Sequence, residues 1–145
     1  MSPENVLAKL QIEQFKRDGF CVATDAVATI EIDQLNDELN AWVEESRQYP
    51  SAFGETSDKR PRFDVEQGHT VDNPRLRRIN NPAEISDRYY QLTFRGALVD
   101  AVVALLGPNV KFLHSKINLK LGNTDTRVGF HQDFSYVPHT NPDVV

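Results

Sequence analysis

Phe130-His131-Gln132-Asp133-Phe134 is the stretch on which the reading of this chain turns. Read as a strand, it sends residues two apart to the same side, so the His131 imidazole and the Asp133 carboxylate can meet on one metal ion. His-x-Asp supplies two of the three protein ligands of a 2-His-1-carboxylate facial triad, and a triad leaves coordination positions open for other molecules. The bare tripeptide is also common by chance and equally describes a polar pair on an exposed strand. Its surroundings have to separate the two readings.

Immediately upstream, Val110 to Leu121 alternates: Phe112, His114, Lys116, Asn118 and Lys120 on one face, Leu113, Ser115, Ile117, Leu119 and Leu121 on the other. That pattern predicts a half-buried strand, followed by a turn from Gly122 to Arg127 and a second strand from Val128 to Tyr136. A row of two lysines, a histidine and an amide is costly to bury unless it meets an ion, a ligand carboxylate or water. Either that face lines the same cavity as His131 and Asp133, or it is a solvated outer face.

Further back, Ile85 to Phe94 and Ala97 to Leu106 read as two helices separated near Gly96, with Gly107-Pro108 as a stop. Leu76 to Ile79 is a short strand ended by Asn80-Asn81-Pro82. Tyr49 to Asn73 is polar and aperiodic and reads as a long loop. Ile32, Leu35, Leu39, Trp42 and Val43 recur three or four apart and predict an amphipathic helix. Phe20 to Ala23 reads as a buried strand carrying Cys21, after a first helix that starts at Ser2-Pro3 and stops at Gly19.

Composition narrows the classes. With 145 residues, 39% of them hydrophobic, the chain can bury one core, and 1-145 reads as part of a single domain. A net charge of −5 argues against a nucleic-acid binder held by phosphate neutralisation. One cysteine excludes an intrachain disulfide and a thiolate-rich zinc site, which favours a reducing, cytoplasmic setting. No apolar run approaches the roughly 20 residues of a membrane span, so no membrane partner is expected.

Four blocks in order, Leu105-Leu106-Gly107-Pro108-Asn109-Val110, His114-Ser115-Lys116-Ile117-Asn118-Leu119-Lys120, Phe130-His131-Gln132-Asp133-Phe134 and Pro138-His139-Thr140-Asn141, resemble the phytanoyl-CoA dioxygenase family. Phe15-Lys16-Arg17-Asp18-Gly19-Phe20 is similar to that family's helix-to-strand opening, with a looser match through Arg75-Leu76-Arg77-Arg78-Ile79. The resemblance implies a double-stranded β-helix, or jelly roll, in an α+β to mainly β chain with amino-terminal helices outside the sheet. It implies an oxygenase that uses Fe(II), 2-oxoglutarate, molecular oxygen and a small-molecule substrate. His131 and Asp133 match the iron ligands, and Lys116, Asn118 and Arg78 match positions that contact 2-oxoglutarate.

Family members carry a further iron-binding His and a 2-oxoglutarate-binding Arg well downstream of His-x-Asp, whereas Val145 lies twelve residues after Asp133. The expectation is therefore an amino-terminal part of the parent enzyme, inactive alone; the alternatives are a non-catalytic binding module with a vestigial site, or a metal-dependent hydrolase. His139 lies eight residues after His131, about 26 Å along an extended strand, and is expected at the surface or beside the ligands rather than on the metal. His69 is expected at the surface, and His114 either in a pocket or in the core.

Overall fold

The computed structural model of the chain describes residues 7–122, 127–140 and 144–145. The expected helix start at Ser2-Pro3, most of the turn after Gly122, and Asn141 lie outside the described residues.

Two helices open the structure. α1 (Lys9–Asp18) ends at Gly19, whose left-handed backbone (φ 80°) lets its N–H reach the Phe15 carbonyl. α2 (Thr29–Ser46) begins where the Glu31 carboxylate accepts the Ala28 backbone N–H at 3.1 Å, one arm of a capping box. Its predicted apolar stripe delivers Leu39, Trp42 and Val43 onto the core. Phe20 to Ala23, however, forms no strand, and Phe20 and Val22 are exposed. A four-residue apolar run has no value as a strand without a neighbour to pair with.

The sheet is a meander, β1 (Phe53–Glu55), β2 (Pro61–Val65), β3 (Leu76–Asn80) and β4 (Lys116–Asn118), all antiparallel and adjacent in that order. Two of these strands fall inside the stretch expected to be a loop. Phe53 pairs with Phe63, and Phe63 with Ile79, so the aromatic residues of that polar segment are spaced to reach one face. Phe63, Leu76, Ile79 and Leu119 form the buried cluster, with α2 packed against it. Burying each such side chain contributes about 1.5–3 kcal/mol.

Between β3 and β4 run α3 (Asp87–Phe94), capped by the Ser86 hydroxyl on the Tyr89 N–H, and α4 (Ala97–Leu106), closed at Gly107. The predicted strand from Val110 to Leu121 contracts to β4, followed by a Leu119 N–H bond to the Arg77 carbonyl at 2.8 Å. Only Arg78, Ile79 and Asn80 of β3 find partners there, and a strand is defined by the residues that pair. Val128 to Tyr136 is not a strand either: Asp133–Ser135 form a single 3₁₀ turn. Among the described residues, no helix is long and apolar enough to cross a membrane.

Candidate functional site

His131 and Asp133 meet by a route other than the expected strand. Gln132 between them is extended (φ −104°, ψ 127°), and the 3₁₀ turn starts at Asp133. One extended residue is enough to turn its two neighbours to the same side. The His131 Nε2 stands 3.0 Å from Asp133 Oδ1, with the imidazole side chain 40% exposed and the carboxylate 89%. His131 Nδ1 lies 2.8 Å from the Gly129 carbonyl, which can only accept, so Nδ1 carries a proton and Nε2 is the nitrogen presented to Asp133. Tyr136 meets the ring edge-on at 5.6 Å.

This arrangement fits a divalent cation. A histidine whose Nδ1–H is fixed by a carbonyl offers Nε2 as a ligand. Two ligands at right angles, each about 2.1 Å from one ion, stand about 3.0 Å apart. A bare ion pair at this exposure would contribute only about 0–1 kcal/mol. No group of three or more His, Cys, Asp and Glu that could hold a metal is assembled among the described residues.

A second group sits on the sheet. In register, Arg78 faces Asn118 and Asn80 faces Lys116, while Ile79 faces Ile117 one step over, so the polar residues share the face opposite the core. Arg78 Nε donates to Asn118 Oδ1 at 3.1 Å. That bond fixes the amide with its NH₂ available to an acceptor. Lys116, Lys120 and His114 are exposed, so His114 is not a core histidine. The neighbouring arginines are engaged by carboxylates, Arg77 by Asp64 and Arg62 by Glu84.

The remaining histidines have local roles. His139 rests edge-on against Phe134 at 5.0 Å, its Nδ1 2.9 Å from the Val137 carbonyl. His69, expected at the surface, is instead a half-buried tie. Its Nδ1 accepts the Arg75 N–H at 2.8 Å, which leaves Nε2–H to donate to the Ser46 carbonyl at 2.9 Å and fasten the end of α2 to the β2–β3 loop.

Sequence reasoning missed a buried polar junction. Arg62 is nearly fully buried and donates to the carbonyls of Glu55 (2.9 Å), Asn80 (3.1 Å) and Asn81 (2.8 Å) and to Glu84 (2.6 Å). Glu84 also accepts from the Ser57 hydroxyl at 2.7 Å; that bond and Arg62 hold its carboxyl below the usual carboxylate range against the opposing pull of desolvation. The available signal was the β2 alternation, in which Arg62 and Asp64 flank Phe63.

The family model described as phytanoyl-CoA dioxygenase (PhyH) matches residues 15–145. A protein of Stutzerimonas stutzeri named as a probable alpha-ketoglutarate-dependent hypophosphite dioxygenase is 36% identical over 93 residues, 63% of this chain. That match spans 32% of the relative's length. No solved structure matches.

Proposed function

This chain belongs to the phytanoyl-CoA dioxygenase family, and from that premise we propose that it supplies part of the active site of an Fe(II)- and 2-oxoglutarate-dependent dioxygenase acting on a small molecule. The observation that carries the reading is the 3.0 Å approach of His131 Nε2 to Asp133 Oδ1, with the imidazole tautomer set by Gly129. The relative's dependence on alpha-ketoglutarate supports the choice of cosubstrate. Residues 1–145 are read as the amino-terminal part of one jelly-roll domain. In it, α1 and α2 lie outside and β1 to β4 are early strands, a view supported by the family and by the small antiparallel sheet.

When bound, Fe(II) with 2-oxoglutarate supplies the oxidising chemistry that places an oxygen atom from O₂ on the substrate. His131 and Asp133 would hold the metal, and the Gly129 carbonyl would keep the imidazole proton on Nδ1 so that Nε2 is free to serve as a ligand. Arg78 and Lys116 supply positive charge for a 2-oxoglutarate carboxylate, and Asn118, oriented by Arg78, adds an N–H donor.

The test uses Mn(II) as a redox-stable probe for the metal site. Wild-type chain is expected to bind it at least tenfold more tightly than Asp133→Ala, read by water-proton relaxation, while the thermal melt stays unchanged. In the parent enzyme, Asp133→Ala should abolish succinate formation. Equal Mn(II) affinity in both proteins, or full turnover by the Asp133→Ala parent at normal iron occupancy, overturns the assignment.

A further inference from the structure

Among the described residues, β4 has three residues and a neighbour on one side only, yet it carries both Lys116 and Asn118. A strand this short has little ladder to define its register, and a slip of one residue would send both side chains to the opposite face. The burial of Leu119 opposes such a slip from one end of β4, and a second support at the Ser115 end would complete its alignment.

Asn81 is placed to give it. The residue has a left-handed backbone (φ 48°, ψ 57°), a conformation uncommon outside glycine that Asn adopts more readily than most. In that conformation its N–H donates to the Ser115 carbonyl at 2.9 Å, and its Oδ1 accepts the Ser115 N–H at 3.4 Å. Ser115, the residue just before β4, is thus held at both backbone groups. Among the described residues its buried hydroxyl meets no hydrogen-bond partner, and the contacts that hold Ser115 run through its backbone. Asn81 is braced in turn: Arg62 donates to its carbonyl at 2.8 Å, and its Nδ2 donates to Glu84 Oε1 at 3.2 Å. Arg62 also grips the Asn80 carbonyl, at the β3 position that faces Lys116.

We infer that Arg62, Glu84 and Asn81 form a register clamp that positions Lys116 and Asn118 on the face shared with Arg78. These three are positioning residues. They act through Ser115 and the β4 backbone, and their relevance to cosubstrate binding rests on the reading of that face given above. A buried guanidinium bonded to three carbonyls and a carboxylate accounts for how a left-handed asparagine stays in place at a site where glycine would be easier.

The experiment uses the 145-residue chain, isotopically labelled, in four forms: wild type, Asn81→Gly, Glu84→Gln and Asp25→Gly. Asp25 has a left-handed backbone far from β4 in sequence (φ 55°), so its glycine variant controls for relief of backbone strain alone. In Asn81→Gly and Glu84→Gln, the amides of residues 81 and 119 should exchange with solvent at least tenfold faster than in wild type. The Arg78–Asn118 cross-strand contact should weaken, while the amides between β2 and β3 keep their protection. Asp25→Gly should match wild type throughout. Added 2-oxoglutarate, followed at the Asn118 side-chain NH₂, should bind at least threefold more weakly to the two clamp variants. Unchanged exchange at 81 and 119 in both variants overturns the clamp, and so does uniform loss of protection across all four strands. If β4 loosens as expected but 2-oxoglutarate perturbs no Asn118 signal even in wild type, the clamp stands and the cosubstrate reading of this face falls.

Discussion

Ile79 and Phe130 are both large apolar residues, yet Ile79 is fully buried (0% exposed) beneath α2 and between β2 and β4, whereas Phe130 stands beside His131 entirely in solvent (112%). The same contrast separates their polar neighbours. Arg62 is enclosed by four acceptors, while the Asp133 carboxylate is 89% exposed. The sheet with α2 is a region where apolar area and buried charge are satisfied inside the chain. The segment around His131 has its geometry set by two local devices, an extended Gln132 and a carbonyl on Nδ1, with little packing beneath it. Packing is thus concentrated in one stretch of sequence, and the His131–Asp133 pair lies in another that has little of it.

Paired substitutions press hardest on that contrast. Ile79→Ala should destabilise the chain by about 2–5 kcal/mol, whereas Phe130→Ala should stay within about 0.5 kcal/mol of wild type, both read from urea unfolding. Comparable losses at the two positions would mean that Phe130 is packed in solution. Next in size, Arg62→Met should cost about 2–3 kcal/mol, less than the roughly 3–5 kcal/mol for removing one partner of a fully buried pair, because Glu84 keeps some contact with water. A loss below about 0.5 kcal/mol would show that the junction is decorative.

The smallest effect is a pH dependence. Glu84 has its carboxyl lowered by Ser57 and Arg62, so the folded state binds that proton less readily than the unfolded chain. Its contribution is complete above the usual carboxylate range and is lost as pH falls through the lowered value. Glu84→Gln should flatten the acid limb of the melting-temperature profile. The profile of Phe130→Ala should keep the wild-type acid limb, and a flattened limb there would break the division between the two regions.

Periodicity made α2, β3, α3, α4 and the glycine stops at Gly19 and Gly107 legible in the sequence, because each carries its pattern within its own residues. What escaped depends on partners. β2 reads Pro61-Arg62-Phe63-Asp64-Val65, and its proline and charges look like loop until Arg62 is given its carbonyls and Phe63 its place on Ile79. The alternation from 110 to 121 says which face each residue would take but not where a five-residue neighbour ends. His131 and Asp133 were identified as a converging pair from a strand that does not form; the i, i+2 relation survived because one extended residue suffices. Asn81, Glu84 and Arg62 left only a trace, since a buried polar junction has no period.

The aromatic packing on α2 has one more consequence. Trp42, the single tryptophan of the chain, has Tyr89 at 5.3 Å and Phe63 at 6.2 Å, with Phe53 stacked on Phe63 behind it. Its emission is thus an optical report on the seating of α2 against the sheet. Excited selectively, it will follow unfolding of the packed region with little interference. The ring beside His131 is Tyr136 rather than Trp42, so a metal arriving between His131 and Asp133 would leave the indole emission unchanged while collapse of the scaffold alters it.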